Sequence, residues 1–374
     1  MASARMVVVG GGVLGTMHAY EACLRGLEVV HLEREAGPRG ASVRNFGLVW
    51  VSGRADGHEL ALARRARKRW AELAEDVPGL GFKPRGSITV ARTEAELAVA
   101  KNAAEWSGAA EREFEFLDAE AVRRVNPALR GEFLGGLYSG ADGSVEPGQV
   151  LGAIRERLAG FANYAWLPNR QAVELGDASV RDHTGEWHSG DVVVLATGAT
   201  LTGIAGAELS AAPIRRCRLQ MMQTEPLGEE LTTSVADSDS FRYYPAYRDA
   251  DAGLEQLGPQ VPIAAEHRMQ LLMVQRADGG LTIGDTHAYD EPFDFAVEEA
   301  PYEHLRSVAE ALLGRELPKT KRRWAGVYSE TTDGSIYHRS TVRPGVIAVT
   351  APGGRGMTCS AGIAGETFDG LDLA

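Results

Sequence analysis

The N-terminal stretch of the chain combines two short apolar runs with one helical pattern. Residues 6–9 form a continuous apolar run, which is typical of a central parallel strand buried on both faces. A helical pattern follows from Val13 to about Leu24, and Gly26 stands where that helix would end. Residues 29–32 then read as a second buried strand. This order predicts the βαβ unit of a parallel sheet.

Two more buried strands are predicted further along the chain. Residues 191–195, four of them apolar, read as a buried strand that runs directly into the small residues Ala196, Thr197 and Gly198. Residues 346–350 form another buried strand, followed by a glycine-rich loop and a helical stretch that extends to about residue 368. A helix that begins after such a loop presents N–H groups and partial positive charge to an anion.

The intervening parts of the chain have a different pattern. Residues 58–76 read as a charged amphipathic helix, and residues 86–90 alternate like a half-buried strand. Residues 269–275 and 281–283 flank a turn at residues 277–280 that contains aspartate and two glycines. Two strands joined by such a turn predict a β-hairpin, and therefore an antiparallel sheet in this region.

The loop between the first strand and the first helix carries the pattern G-x-G-x-x-G, from Gly10 to Gly15. Gly10 permits a tight turn, Gly12 lets backbone amides approach a pyrophosphate, and Gly15 lets the helix pack closely on the sheet. Glu33 ends the second strand, 18 residues beyond Gly15, where a carboxylate accepts a hydrogen bond from a ribose. A purely structural glycine turn does not explain this acid. The loop therefore predicts a bound dinucleotide, and by itself leaves NAD and FAD open.

Three later segments resemble the D-amino-acid oxidase, glycine oxidase and sarcosine oxidase family of FAD-dependent oxidoreductases. The resemblance covers essentially the whole chain and implies FAD as the cofactor. In that family the last segment faces the pyrimidine side of the flavin, where helix N–H groups stabilise the reduced ring. The segments are Gly40-Ala41-Ser42-Val43-Arg44-Asn45-Phe46-Gly47, Ala196-Thr197-Gly198 and Gly353-Gly354-Arg355-Gly356-Met357-Thr358.

The resemblance also implies which residues contact FAD. Attachment is expected to be non-covalent, because Gly326 stands where flavin-tethering sarcosine oxidases carry a cysteine and Cys359 reads as a packed helix residue. The expected contacts are Gly10, Gly12, Val13, Leu14, Gly15, Glu33, Arg34, Ser42, Arg44, Asn45, Phe46, Gly47, Val173, Ala196, Thr197, Gly198, Gly353, Gly354, Arg355, Gly356, Met357 and Thr358.

The family architecture implies an α/β fold with two domains. A Rossmann-type FAD-binding domain is expected to be discontinuous, over residues 1–50, 143–218 and 322–374. Residues 51–142 and 219–321 are expected to form an inserted α+β substrate domain on a mainly antiparallel sheet.

Within the family, four stretches resemble a narrower branch associated with phosphonate metabolism: residues 42–50, 219–224, 281–287 and 324–328. That branch is thought to oxidise the C–N bond of an aminophosphonate related to 2-aminoethylphosphonate. The implied chemistry is hydride transfer from the substrate carbon to flavin N5, followed by hydrolysis of the imine.

Three residues are expected to act in catalysis. His287 follows a strand that in the family passes over the flavin, although a hydrogen-bonded loop histidine is an equal interpretation. Thr282 occupies the position of a lysine that activates oxygen in monomeric sarcosine oxidase, which leaves oxidase and dehydrogenase behaviour open. Tyr328 replaces the arginine with which glycine oxidase and D-amino-acid oxidase clamp a carboxylate, and a tyrosine cannot form that bidentate pair. A phosphonate is therefore favoured over an α-carboxylate, while an aromatic packing role for Tyr328 remains an alternative.

The substrate anion is expected to meet polar aromatic and cationic side chains. The candidates are Arg54, Arg242, Tyr243, Tyr244 and Arg339, each of which also fits a solvated surface position. The alternatives for the whole protein are a glycine, sarcosine or D-amino-acid oxidase or dehydrogenase, a non-catalytic FAD-binding subunit of a larger complex, and a flavin monooxygenase. The expected partners are a small anionic amine and O₂ or another electron acceptor.

Composition and charge narrow the partners, metal sites and location that the sequence predicts. The formal net charge of −12 over 374 residues argues against nucleic acid or an anionic membrane as a partner. The three cysteines lie far apart without metal-ligand spacing, so no metal site is expected. No apolar run has the length of a signal peptide or a membrane span, which predicts a cytoplasmic protein.

Overall fold

A computed structural model describes residues 3–371 of the chain. Among these residues, no helix is both long and apolar enough to cross a membrane. The strands are β1 (Arg5–Val9), β2 (Glu28–Leu32), β3 (Leu48–Val49), β4 (Ser87–Ala91), β5 (Phe114–Asp118), β6 (Gly135–Ser139), β7 (Gly143–Ser144), β8 (Tyr164–Leu167), β9 (Ala172–Gly176), β10 (Ser179–Asp182), β11 (Trp187–Ser189), β12 (Val192–Leu195), β13 (Ile214–Pro226), β14 (Ser234–Ala236), β15 (Leu272–Gln275), β16 (Gly280–Gly284), β17 (Thr320–Thr331), β18 (His338–Arg343) and β19 (Val346–Thr350). The α-helices are α1 (Val13–Leu24), α2 (His58–Asp76), α3 (Glu94–Glu105), α4 (Ala109–Arg112), α5 (Ala119–Val125), α6 (Val150–Ala159), α7 (Gly206–Ala211), α8 (Asp239–Tyr243), α9 (Ala246–Asp249), α10 (Pro262–Glu266), α11 (Glu299–Leu313) and α12 (Gly356–Asp369).

One sheet has six strands in the order β18-β19-β12-β1-β2-β8. Every neighbouring pair is parallel except β18 with β19. Successive residues of β1 pack into different apolar clusters: Met6 and Val8 on one face, Val7 and Val9 on the other. A strand buried on both faces has no polar side to alternate with, which explains its continuous apolar sequence.

A second sheet has eight strands in the order β17-β13-β16-β15-β14-β4-β6-β5. All its pairs are antiparallel except β14 with β4. The predicted hairpin is present as β15 and β16, and Gly279 supplies its left-handed turn residue with φ +82°. β13 and β17 form a ribbon that is registered from Ile214 opposite Thr331 to Thr224 opposite Thr320. The expected class, a Rossmann-type parallel sheet with a second, mainly antiparallel sheet, is therefore confirmed.

Helix α2 packs in the layer of the six-stranded sheet. Leu60, Ala63, Trp70 and Leu73 share the apolar cluster of α1, and the indole Nε1 of Trp70 donates to the carbonyl oxygen of Met357 at 3.0 Å. The sequence analysis assigned this helix to the substrate domain, so a boundary after residue 50 would divide a continuous core. The domain boundaries stay a prediction.

Candidate functional site

A cavity of about 1100 Å³ is lined by residues from both large sheets. It lies at the carboxyl ends of β1, β2 and β12, which is where open parallel sheets bind their ligands. We call the part formed by Gly10, Gly12, Val13, Leu14, Glu33 and Ser42 the glycine-loop end. We call the part formed by Trp50, Arg54, Tyr243, Tyr244, Asp285 and His287 the aromatic end.

The glycine loop is shaped by two close approaches of backbone to backbone. A side chain on Gly15 would place its Cβ 1.9 Å from the carbonyl oxygen of Gly10, so only glycine lets α1 start this close to β1. Gly10 has φ +112°, and its Cβ would lie 2.3 Å from the carbonyl oxygen of Ala196. These two contacts hold the start of α1 between β1 and β12.

Several amides at the start of α1 already have protein partners. The amide of Gly11 donates to Glu33 Oε2 at 2.7 Å, and that of Val13 donates to Ser42 Oγ at 3.0 Å. Within the described residues, the amides of Gly12 and Leu14 have no protein acceptor, and both residues line the cavity. Free amides at a helix N-terminus bind phosphate well.

Glu33 is buried, and its carboxylate is tied to the backbone. Its Oε1 accepts a hydrogen bond from the amide of Glu35 at 3.0 Å, in addition to the bond from Gly11. A carboxylate has about four acceptor sites, so each oxygen can still accept from a ligand hydroxyl. Glu33 thus fixes the glycine loop as well as lining the cavity.

The segment around Asn45 is a turn held by its own side chain. Asn45 Nδ2 donates to the carbonyl oxygen of Ala41 at 2.8 Å, and Asn45 Oδ1 accepts from the amide of Gly47 at 2.6 Å. Gly47 has φ +69°, and its Cβ would lie 2.2 Å from the carbonyl oxygen of Val145, which explains the glycine. Ser42 is thereby placed next to α1.

The C-terminal glycine loop meets the cavity at the start of α12. Thr358 Oγ1 accepts from the amide of Trp50 at 2.9 Å, so its hydroxyl joins α12 to the segment after β3. Arg355 donates through Nε to Glu59 Oε1 at 2.9 Å, and Glu59 also contacts Arg54 Nη1 at 3.5 Å. Burial alone would raise the pKa of Glu59, but the charges of Arg54 and Arg355 hold it below its usual value.

Four aromatic rings form a continuous wall at the aromatic end. Trp50 stacks on Tyr244 with centroids 5.7 Å apart, and Tyr244 meets Tyr243 edge-on at 5.0 Å. Tyr243 lies 4.8 Å from the ring of His287, and 38% of its surface is accessible. Nδ1 of His287 lies 2.9 Å from the carbonyl oxygen of Arg268. A carbonyl oxygen can only accept a hydrogen bond, so Nδ1 carries a proton.

Arg54 is a cation held inside the protein. It is 5% exposed, and its Nε donates to the carbonyl oxygen of Trp50 at 2.7 Å. Its guanidinium lies 5.8 Å from the centroid of the Tyr244 ring. A buried guanidinium beside a cavity is well suited to bind an anion, because its planar group can donate two parallel hydrogen bonds.

Three residues that line the cavity each carry a buried polar atom with no hydrogen-bond partner within the described residues. These atoms are the indole Nε1 of Trp50, Oδ1 of Asp285 and the hydroxyl of Tyr328. Buried polar groups normally find partners, since leaving one unpaired costs roughly 1–3 kcal/mol. Two donors and one acceptor are thus available to a ligand.

Not all expected site residues reach this cavity. Thr282 is buried within β16, registered opposite Gln223 and Val274, and does not line it. Arg242 binds Asp239 and the carbonyl oxygen of Gly258, and Arg339 binds the carbonyl oxygen of Glu366. Val173 is 43% exposed on β9, whereas Gly15 and Gly47 act through packing as described. The expected residues that do line it are Gly10, Gly12, Val13, Leu14, Glu33, Arg34, Ser42, Arg44, Asn45, Phe46, Arg54, Ala196, Thr197, Gly198, Tyr243, Tyr244, His287, Tyr328, Gly353, Gly354, Arg355, Gly356, Met357 and Thr358.

The sequence analysis missed several residues of the aromatic end. Asp285 and Gln270 line the cavity beside His287, and Glu59 lies beneath Arg54. A polar residue directly after an apolar strand, as Asp285 follows β16, was an available signal. Glu59 gave a weaker signal, because an acid in the first turn of a helix is common on solvated helices as well.

One cluster elsewhere has the composition of a metal site. Asp182, Glu186 and His188 lie close together near β10 and β11. Arg170 Nη1 lies among them, 2.6 Å from Asp182 Oδ2 and 3.0 Å from Glu186 Oε2. A guanidinium that already neutralises both carboxylates makes this a structural ion-pair cluster.

The residues present fit the FAD that the sequence predicts. Free amides at Gly12 and Leu14 suit a pyrophosphate, and the unpartnered donors of Trp50 and Tyr328 suit the oxygens of a flavin ring or a substrate. The thiol of Cys359 is fully buried, and burial raises its pKa to about 11, so it is a poor nucleophile for a covalent link.

Comparison with known proteins agrees with this geometry. A family model for FAD-dependent oxidoreductases (DAO) matches residues 5–369. An opine oxidase subunit from Agrobacterium tumefaciens (strain Ach5) is 24% identical over 375 aligned positions, covering 93% of this chain and 88% of that protein. The protein of the same name from Rhizobium meliloti is 29% identical over 150 residues, and this match spans 37% of this chain and only 40% of that protein.

The fold has a counterpart of known structure. The crystal structure of glycine oxidase from Geobacillus kaustophilus superposes with a TM-score of 0.77 at 20% sequence identity. The match covers 100% of this chain and 98% of that one, so the whole described architecture is shared.

Proposed function

Because the chain belongs to the family of FAD-dependent oxidoreductases, with FAD as its cofactor, we propose that it oxidises the C–N bond of a small anionic amine. The substrate we favour is an aminophosphonate related to 2-aminoethylphosphonate, undergoing oxidative deamination or N-dealkylation. One observation carries this proposal: the aromatic end holds a buried guanidinium, Arg54, and a buried carboxylate, Asp285, in the wall of the same cavity.

Bound FAD supplies the acceptor for the hydride that leaves the substrate carbon, and water then hydrolyses the imine. The tasks left to the protein are to orient the substrate, to exclude water and to bind its charged groups. Arg54 binds the anionic group, and the rings of Trp50 and Tyr244 form an apolar wall beside it. His287 presents the imidazole to the same space.

The preference for a phosphonate over an α-carboxylate rests on the cations available. Tyr328 stands where the resemblance places the carboxylate-binding arginine of glycine oxidase. Arg248 lines the cavity and has no carboxylate partner within the described residues, in contrast to Arg216, which pairs with Glu291. The buried Arg54 and the exposed Arg248 are thus two guanidinium groups in the wall of the cavity, each able to pair with an oxygen of a tetrahedral dianion.

The flavin is proposed to be held non-covalently, because Gly326 replaces the tethering cysteine and Cys359 is buried. Acid or heat denaturation should release all the yellow colour into the supernatant. Flavin that stays with the precipitated protein would contradict this part of the proposal.

The activity is tested with the purified holoenzyme in two assays. Peroxide formation is measured in air, and bleaching of the flavin absorbance is measured without oxygen. The panel contains 2-aminoethylphosphonate, its N-methyl and 1-hydroxy derivatives, glycine, sarcosine and D-alanine. Bleaching by the aminophosphonates supports the proposal, whereas bleaching only by D-alanine or sarcosine overturns the substrate and favours an amino-acid oxidase. Bleaching without peroxide identifies a dehydrogenase.

A second candidate is an FAD-binding component of a larger complex. The similarity to proteins named as subunits of opine oxidase favours it. Gel filtration and turnover of the isolated chain separate the two: full turnover by a single-chain species contradicts an obligate component of a complex.

A further inference from the structure

We propose that Asp285 binds the amino group of the substrate, so that the cavity selects molecules with a cationic amine at one end and an anion at the other. This rests on the proposed function for the presence of an amine in the ligand and for Arg54 as the site of the anion. Arg54 and Asp285 are then the two poles of one binding site.

Asp285 is placed by its backbone, which leaves its side chain free. It follows β16 directly, is 6% exposed, and its amide donates to the carbonyl oxygen of Gln270 at 2.9 Å. Oδ1 is buried and accepts no hydrogen bond within the described residues, although the residue lines the cavity. A buried carboxylate oxygen without a donor is costly unless a ligand supplies one.

The other acids near the aromatic end are already neutralised. Glu59 contacts both Arg54 and Arg355, at 3.5 and 2.9 Å, and Glu330 binds Arg215 at 2.6 Å. Asp285 has no such ion pair within the described residues. It is therefore the carboxylate at this end of the cavity that remains available for a ligand cation.

The groups that face Asp285 provide no permanent positive charge. They are His287, Tyr243, Tyr244 and Cys217. Burial raises the pKa of Asp285 to about 6, against a smaller opposing effect of His287. Burial likewise raises the pKa of both tyrosines and of Cys217, so these stay uncharged. A ligand ammonium is the counter-charge that this environment lacks.

The charges of both poles act on one aromatic ring, that of Tyr244. Burial raises the pKa of Tyr244, while the Arg54 charge lowers it and the Asp285 charge raises it further, so both charges are close to this ring. Arg54 lies 5.8 Å from the ring centroid. A ligand with opposite charges at its two ends can pair with both residues, whereas a ligand with one charge can pair with only one of them.

The test uses amines that bind but cannot be oxidised, because they carry no hydrogen on the carbon next to nitrogen. The holoenzyme is titrated with 2-amino-2-methylpropylphosphonate and with its isostere 2,2-dimethylpropylphosphonate, in which a methyl group replaces the amine. A second pair is 2-aminoisobutyrate and pivalate. Affinity is measured from the flavin absorbance change or by calorimetry at pH 8.

The wild type should bind the amine of at least one pair at least tenfold more tightly than its isostere. Asp285→Asn should remove this preference and leave affinity for the isostere unchanged, and the preference should fall as the pH drops through about 6. Asp290→Asn, an exposed acid five residues further on, should behave like the wild type. An equal preference in Asp285→Asn, or no preference in the wild type, overturns the inference.

These outcomes are separate from those of the activity assays. A preference seen only in the carboxylate pair supports Asp285 as the amine site and contradicts the phosphonate. A preference in a protein whose flavin no amine bleaches supports the binding site and contradicts the proposed oxidation.

Discussion

The two ends of the cavity differ in whether backbone or side-chain groups form them. The glycine-loop end consists mostly of backbone: free amides at the start of α1 and glycines that allow close approach, all from one short stretch of chain. The aromatic end consists of side chains from distant parts of the sequence, namely Trp50 and Arg54, Tyr243 and Tyr244, and Asp285 and His287. A general chemical task such as holding pyrophosphate suits backbone, whereas selection of a substrate suits replaceable side chains.

The two ends also differ in how well the hydrogen bonds of their polar side chains are satisfied. At the glycine-loop end, Glu33 accepts hydrogen bonds at both oxygens and Ser42 accepts from Val13. At the aromatic end, Trp50 and Asp285 keep buried polar side-chain atoms without partners among the described residues. The side chains of the first end therefore stabilise the folded protein. The unpaired polar atoms of the second end lower its folding stability and leave hydrogen-bonding capacity for a ligand.

The largest effect is expected from Gly15→Ala. Its Cβ would lie 1.9 Å from the carbonyl oxygen of Gly10, so α1 must move away from β1. We expect destabilisation of at least about 3 kcal/mol, at the upper end of the range for overpacked cores, and loss of bound flavin. Flavin absorbance per protein and thermal unfolding measure both effects.

Gly152→Ala is the matched control for this change. Gly152 lies in α6, and a Cβ added there would meet nothing within 4 Å, so alanine should be neutral or stabilise by about 0.5–1 kcal/mol. A Gly15→Ala protein that retains flavin and stability would show that the glycine-loop end tolerates movement.

The next effect is a gain in stability from Asp285→Asn at the aromatic end. A carboxyl whose folded-state pKa is about 6 rather than 3.8 favours folding only when protonated, so above pH 6 its charge opposes folding by about 3 kcal/mol. The variant should therefore exceed the wild type in free energy of unfolding at pH 8, and the difference should vanish near pH 4. Denaturant titrations of the ligand-free protein at both pH values measure this.

His31, near the glycine loop, should show the opposite pH dependence. Burial lowers its pKa to about 4, and its Nε2 lies 3.0 Å from the carbonyl oxygen of Gly10. Since the unfolded chain binds the proton more readily, this residue costs stability as the pH falls from about 6.5 towards 4.

Equal stability of wild type and Asp285→Asn at every pH would show that burial does not destabilise the charged form of Asp285.

Arg54→Met is expected to weaken binding of the anionic substrate by about 10- to 100-fold, since a charge-assisted hydrogen bond contributes about 1.5–3 kcal/mol. Arg242→Met should have little effect, because Arg242 lies outside the cavity and binds Asp239. The concentration dependence of flavin reduction measures both variants. A larger loss in Arg242→Met would place the anion elsewhere in the molecule.

The smallest effect on stability is expected from Tyr328→Phe. The hydroxyl is buried without a hydrogen-bond partner within the described residues, so its removal should raise the free energy of unfolding of the flavin-free protein by about 1 kcal/mol. With flavin and substrate bound, its loss should slow flavin reduction about tenfold, the effect of one hydrogen bond. Destabilisation of the flavin-free protein would reveal a protein partner for this hydroxyl.

Much of the fold was predictable because local pattern and tertiary structure agree. The pattern placed the first helix from Val13 to about Leu24 and an amphipathic helix over residues 58–76, and both helices have these bounds. The strand predicted over residues 346–350 is β19. The glycine loop was equally predictable. Its function depends on backbone conformation, and the positions of glycines in the sequence indicate that conformation directly.

The aromatic end was only partly predictable, because it depends on which distant segments meet. Arg54, Tyr243 and Tyr244 were candidates by residue type, as were Arg242 and Arg339, and nothing local separates those that line the cavity from those that do not. Asp285 looks like any acid after a strand until burial and the missing partner of its Oδ1 are known. Thr282 was aligned to a catalytic position, yet β16 buries it opposite Gln223 and Val274.

Glu59 links two arginines that line the cavity, because it contacts both Arg54 and Arg355. An anion that draws Arg54 away leaves Glu59 to Arg355 alone, which strengthens the attachment of α2 to the loop before α12. By thermodynamic reciprocity, whatever favours that attachment also favours release of Arg54 to the anion. Because both arginines share one carboxylate, a change in the contact of Glu59 with Arg54 alters its contact with Arg355 as well.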